Sequence, residues 1–473
     1  MIIQEGEWAA AWPADLGREF RSLAAQTTLA RDDNWIVSAG VIHDFGLKAT
    51  IQGMRIGTRI ASFILLGTLA VAQQKDSAAA KSVTVPAAID HNRVVINADV
   101  QLPDGSTRRI RAWVDNGNPE LNISRRVATL LGLAVQCGDQ ECSSPPPSAI
   151  VVGGMTIPLN DVKEAKIPLK PVNASAVVAP GMNVEINLPS SVLRHYDVLI
   201  DFPEHKFSIG APGTIHFQGS STKVEINGEN GLIEVPSKIE NKKYNLALDV
   251  GSSISFLSEE LFDKLASAHA DWPHMTGAVG SASMWGVPDE AHWKVMRVDR
   301  VQYGPLYLTD VAMVALPKAV QDFFEKRAGM PTAGVLGSNM LVNYRVGIDY
   351  AHSTVYFDIG RLFNFPDFDV IGLILRPEDD GRYTVLGVAD FEGQPSVPTG
   401  PEGVQAGDSL VAVDGIPVRG STMGQVWSML GGTPGKERRL TVERGGKEIQ
   451  VNAAVQHFLG VAPEESERKK KSR

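Results

Sequence analysis

Cysteine is nearly missing from this chain: Cys137 and Cys142 are the only two in 473 residues. Two thiols with no histidine cluster beside them cannot complete a structural metal site, which excludes zinc-ribbon chemistry there. Aromatic residues are few, at 7%, and Lys plus Arg (45) is outnumbered by Asp plus Glu (54). The resulting formal charge of −9 argues against a nucleic-acid partner, which calls for a basic surface. Long apolar runs are lacking too, and the stretch Ile60 to Leu69 is marginal for a membrane span. No Gly-x-Ser-x-Gly, His-Glu-x-x-His or phosphate loop ending in Gly-Lys-Ser/Thr occurs, so the commonest serine-hydrolase, zinc-peptidase and nucleotide signatures are absent. Glycine (45) and proline (28) are plentiful, and frequent turns of that kind predict a mainly β architecture. The length has room for about three domains of ~150 residues.

What the chain does have is one design written twice. Ala112-Trp113-Val114-Asp115-Asn116-Gly117 is followed by Ile123-Ser124 and then Val127, Ala128, Leu130 and Leu131. Leu246-Ala247-Leu248-Asp249-Val250-Gly251 is followed by Leu257-Ser258 and then Leu261, Phe262 and Leu265. Each copy runs an apolar strand into an aspartate, reaches serine nine residues later, and enters a helix-period pattern. Asp-x-Gly occurs six times in the chain, but only Asp115 and Asp249 combine the strand before with the helix pattern after. Two carboxyl groups brought face to face share one proton and so supply a base and an acid from one residue type. The copies also end alike, in Tyr196–Phe202 with Lys206–Ile209 and in Tyr344–Tyr350 with Thr354–Phe357, each reading as a closing hairpin.

These repeats set the expected domains. An N-terminal extension (1–53) precedes an export signal or anchor (54–72), with Arg55 and Arg59 ahead of the apolar run and Ala70-Val71-Ala72 as a cleavage site. Met54 is the expected true start, and an uncleaved signal anchor is the alternative. A linker follows (73–89), then lobe one (90–216), lobe two (222–360), a compact third unit (370–457) and a disordered charged tail (458–473). An exported chain is periplasmic or secreted, membrane-bound only through that anchor, and in such a compartment Cys137 and Cys142 are expected to pair.

The paired lobes resemble aspartic peptidases, closest to the retropepsin-like type fused in tandem. The resemblance rests on both aspartate contexts, on Asp249-Val250-Gly251-Ser252-Ser253, and on Gly334-Val335-Leu336-Gly337-Ser338 through Ile348-Asp349-Tyr350. It implies a bilobal β fold with a cleft between the lobes, a catalytic pair of Asp115 and Asp249, a polypeptide substrate, and neither metal nor cofactor. The loop expected to support the pair comprises Asn116, Gly117, Val250, Gly251, Ser252 and Gly337. The family carries Thr or Ser after each aspartate, where this chain has Asn116 and Val250. Asn can donate and accept; Val can do neither. Lobe one has Leu188-Pro189-Ser190 where lobe two has Leu336-Gly337-Ser338, which predicts a differently shaped crossing there. The resemblance also implies a flap, with Gly280, Ser281 and Trp285 as its candidate, the alternative being a plain surface turn with Trp285 in the core.

The third unit resembles a PDZ domain through Ile371-Gly372-Leu373-Ile374-Leu375, Ala406-Gly407-Asp408-Ser409-Leu410 and Asp414-Gly415. That resemblance implies a carboxylate-binding loop at Gly372, Leu373, Ile374 and Leu375 and a C-terminal or internal peptide as ligand. The competing reading is a domain that packs on the lobes and binds nothing.

Overall fold

The computed structural model describes residues 81–460 apart from 139–140, 169–178, 180, 285, 287, 319–320, 323–324, 327–328, 330 and 361–366. The expected extension and signal (1–72), the linker up to residue 80 and the tail from 461 lie outside the described residues. What is described is mainly β, with two lobes that repeat one plan followed by the third unit.

Lobe one is built on three antiparallel strands, Ser82–Asp90, Arg93–Gln101 and Thr107–Asp115. His91 and Asn92 both have positive φ (53° and 61°), the backbone of a tight two-residue hairpin. Residues 82–89 are therefore strand, which corrects the expected linker boundary. Pro86 sits where the strand stops pairing with Lys206–Gly210 and starts pairing with Arg93–Ile96. A missing N–H costs least at such a changeover.

In lobe two the hairpin of Ile233–Ile239 with Lys242–Asp249 turns at Glu240 and Asn241, again both at positive φ (49° and 63°). Each aspartate strand is then joined in parallel by a strand from the far end of its own lobe. Ile186–Pro189 runs beside Ala112–Asp115, pairing Pro189 with Asp115; Gly334–Gly337 runs beside the second strand, pairing Gly337 with Asp249. The parallel crossing is common to both lobes, but it leads into an α-helix at Ser190–Leu193 and a 3-10 turn at Ser338–Met340, so its local shape differs as expected.

The closing hairpins pair with each other. Asp197–Asp201 lies antiparallel to Tyr344–Asp349, with Arg345 holding Asp201 and Asp358, each at 2.8 Å. One apolar core runs through both lobes, from Val94, Ile96 and Val114 to Leu246, Leu248 and Val346. Burying each such side chain contributes about 1.5–3 kcal/mol.

The third unit has its own sheet and core, closed by the helix Met423–Leu430. That helix starts with a capping box: Thr422 accepts from the Gln425 amide while the Gln425 side chain accepts from the Thr422 amide. A second apolar layer joins it to lobe two, with Ala278, Val279, Ala282 and Met284 packed against Phe368, Val370, Ile374, Ala389, Phe458 and Leu459. Phe458 and Leu459 are buried, so the charged tail cannot begin at 458. Among the described residues no helix is long and apolar enough to cross a membrane.

Candidate active site

The serine nine residues beyond each aspartate is a helix N-cap. Ser124 Oγ accepts from the Val127 amide and Ser258 Oγ from the Leu261 amide. Capping fixes where each strand-loop-helix turn ends, and so fixes the loop that carries the carboxyl group. The crossing strands add a matched bond behind each loop: the Ser190 amide donates to the Asn118 carbonyl and the Ser338 amide to the Ser252 carbonyl, both at 2.9 Å. Gly337 is needed for that approach, because a Cβ there would collide with the Ile254 carbonyl. Ser338 Oγ donates to the Val250 carbonyl at 2.9 Å and Ser252 Oγ to the Ile254 carbonyl.

The two loops meet tip to tip. A Cβ on Gly117 would collide with the Asp249 carboxyl group, and one on Gly251 with Asp115 Oδ1. Each loop's glycine is thus the seat of the other lobe's aspartate. Asp115 Oδ1 and Asp249 Oδ1 both lie within 3.0 Å of the single point where a Gly251 Cβ would stand. Carboxylate oxygens sharing so small a volume are within reach of one bridging water.

Asn116 ties the loops together through both ends of its amide. Its Nδ2 donates to the Leu248 carbonyl at 2.9 Å, and its Oδ1 accepts from the Val250 amide at 2.8 Å, both fully buried. Val250 cannot return the contact. Asn187, a polar residue in the otherwise apolar crossing strand, donates to Asp115 Oδ2 at 3.3 Å and holds the Asn122 amide at 2.7 Å.

Burial pushes the Asp249 carboxyl up to about 6, against the amides of Gly251, Ser252 and Gly117 and the charge of Arg93, all of which pull it down. With oxygens of both carboxyls at one seat, the site takes up its proton as a unit. Asp115 is 2% exposed whereas Asp249 is half-buried, so the site opens on the Asp249 side.

Arg93 escaped the sequence reading. It is 2% exposed, its guanidinium donates to the Met284 carbonyl (3.3 Å) and Ser253 Oγ (3.4 Å), and both aspartates act on it electrostatically. Its neighbours in the hairpin tip also reach out of lobe one. Asn92 donates to the Ser253 carbonyl, His91 Nε2 lies 3.0 Å from the Gly280 carbonyl, and Asp90 accepts from Thr422 and Gly424 of the third unit. Asp-His-Asn-Arg reads in sequence as an ordinary surface turn, and only its long-range contacts show otherwise.

The flap candidate is not a free lid. Gly280–Ala282 is a short 3-10 turn, and Ser281 is fully buried, its Oγ inside the fold and its carbonyl accepting from Ser253 Oγ. Trp285 lies outside the described residues. The turn is shaped by Glu290, whose buried carboxylate accepts from the amides of Met284 (3.2 Å) and Gly286 (3.0 Å). Cys137 and Cys142 are joined in a disulfide that closes a short hairpin in lobe one.

A family model decides the third unit. Residues 370–455 match the PDZ domain. In this PDZ domain Gly372 is sterically required, since a Cβ would collide with Ser396 Oγ and stand 2.7 Å from Phe458. Leu373 and Leu375 belong to the domain's own core, while Ile374 faces lobe two. The Leu373 amide already donates to the Ile371 carbonyl at 2.8 Å, and the Ile371 amide to Leu430 at 3.0 Å. Among solved structures the chain is similar to the crystal structure of an aspartic proteinase from Irpex lacteus, with 11% identity, 59% of this chain and 97% of that chain covered, and a TM-score of 0.34. No curated protein matches the chain.

Proposed function

We propose that the chain is an exported aspartic endopeptidase in which Asp115 and Asp249 activate water against a peptide bond. The observation that carries this reading is the shared seat: two carboxylate oxygens, one from each lobe, within 3.0 Å of one point. Two such groups cannot both ionise cheaply, so one keeps a proton. The ionised carboxylate takes a proton from the bridging water as its oxygen bonds to the carbonyl carbon. The protonated carboxyl meanwhile gives its proton to the carbonyl oxygen. Collapse of that gem-diol breaks the C–N bond: the proton gained from water leaves with the amine, and one diol hydroxyl returns its proton to the other carboxylate as the acid product forms. The polypeptide lies extended across the cleft, and the PDZ domain engages peptide at its groove. Export is supported by the Cys137–Cys142 disulfide, a bond kept in oxidising compartments. Any membrane attachment comes through an uncleaved 54–72 segment.

The experiment is cleavage of a peptide library. Turnover should survive chelators and serine-directed reagents, stop with a statine inhibitor, and vanish in Asp249→Asn. Cleavage that persists in Asp249→Asn would overturn the reading. A second reading, peptide binding without turnover, draws on Val250, which leaves the loop junction bonded from one side, and on the buried cation of Arg93, which favours ionising both carboxyls. It predicts peptide binding with no cleavage in wild type.

A further inference from the structure

PDZ domains take peptide ligands by strand addition, and in this one the groove for it lies between the strand Leu373–Pro377 and the helix Met423–Leu430. The cavity left in it for water is only about 20 Å³, room for about one molecule. Leu373, Leu375, Met423 and Leu430 line one side, and Gly280 and Ser283 of lobe two close the other. Gly280 sits at φ +55°, where a Cβ would collide with the Asp367 carbonyl and stand 3.1 Å from Trp427 Nε1. Small residues and a left-handed turn let this segment enter so closely.

The same segment is held on its other face by groups of the active site. Ser253, four residues after Asp249, bonds the Ser281 carbonyl at 2.9 Å. Arg93, which faces both aspartates, bonds the Met284 carbonyl at 3.3 Å. One short segment therefore touches the ligand groove on one side and the surroundings of the carboxyl pair on the other.

We propose that Gly280–Met284 is the resident ligand of the PDZ groove, a latch that stays seated there until an extended apolar polypeptide takes its place. The competitor is recognised by its apolar side chains and backbone. The loop amides of Ile371 and Leu373 are already engaged within the domain and are not offered to a terminal carboxylate. What release does for turnover rests on the peptidase reading; the latch does not.

The test uses the full chain and a fluorescein-labelled, Leu/Val-rich octapeptide made with either a free or an amidated C-terminus. Anisotropy should show Gly280→Val binding it at least about tenfold more tightly than wild type, with acid and amide forms alike. Hydrogen exchange on wild type should show saturating peptide exposing 277–293 and protecting 373–377, a readout that stands even if the variant does not fold. Equal affinity in the two proteins with 277–293 unmoved, or no binding to either, overturns the latch. A strong preference for the free carboxylate overturns its stated ligand. Peptide-driven release without cleavage by either protein keeps the latch and overturns the peptidase.

Discussion

Asn116 offers the sharpest perturbation, because one side chain makes two buried bonds between the aspartate loops. Replacing it with alanine strands the Leu248 carbonyl and the Val250 amide, both in residues at most 1% exposed. Each orphaned buried group costs about 1–3 kcal/mol, so Asn116→Ala should lose about 2–6 kcal/mol against a typical domain stability of about 5–15 kcal/mol. Asn116→Thr should behave differently. A hydroxyl has one donor and can accept, so it can serve both partners and should lose less than about 2 kcal/mol. Guanidinium unfolding read by tryptophan fluorescence is the assay, since Trp113 stands two residues before Asp115. Turnover should follow the same order, a displacement of about 1 Å at reacting groups being able to cost ~100-fold. If alanine costs less than about 1 kcal/mol, or threonine is no better than alanine, the bonds do not hold the loops and the reasoning fails.

Other outcomes follow from the same contacts. With the Asp249 carboxyl pushed up to about 6 by burial, the shared proton is present below that pH and lost above it, so turnover should fall as pH rises through 6; a flat pH–rate profile from 5 to 8 would contradict this. Arg93→Met removes the cation that pulls Asp249 down, and should move that limb of the pH–rate profile to higher pH. Glu234 is buried and pushed up to about 8 by burial. Its raised folded-state value means stability is full below the unfolded value near 4.5 and is lost as pH climbs towards 8. Glu234→Gln should therefore outlast wild type in thermal melts at pH 8.5 by a few kcal/mol, each pH step between those two values costing wild type about 1.4 kcal/mol. At pH 4 it should show no such gain. Arg297 bonds the Leu459 and Asp310 carbonyls and pairs with Asp367, so Arg297→Met should raise hydrogen exchange across 456–459 while leaving 94–100 unchanged.

Much of this architecture was legible in local pattern. Ser124 and Ser258 stood at the entry to each helix pattern, which the structure makes their caps, and the like endings of the two copies anticipated the strands in which Asp197 pairs with Asp349. The pairing itself was not legible, nor was the role of Asn116 as a tie between the loops, because contacts such as Asn116 to Val250 span 134 residues and leave no periodic trace. The strand Ser82–Asp90 was lost for a different reason. Its proline and alanines have low strand preference, and it is specified instead by two partners, one on each side of Pro86.

The segment around Gly280 shows why a site can be read correctly in composition and wrongly in use. Gly-Ala-Val-Gly-Ser-Ala-Ser suggests backbone that must be approached closely, and a bound substrate strand is one thing that would do so. A neighbouring domain is another, and both select against Cβ atoms. Exposure separates them: Ala278, Val279, Ser281 and Ala282 are all fully buried against lobe two and the PDZ domain. A lid that must open for each substrate cannot keep that burial at every turn of the cycle. On the latch proposal these contacts break when the segment leaves its groove, and the apolar surface then uncovered needs another chain to cover it.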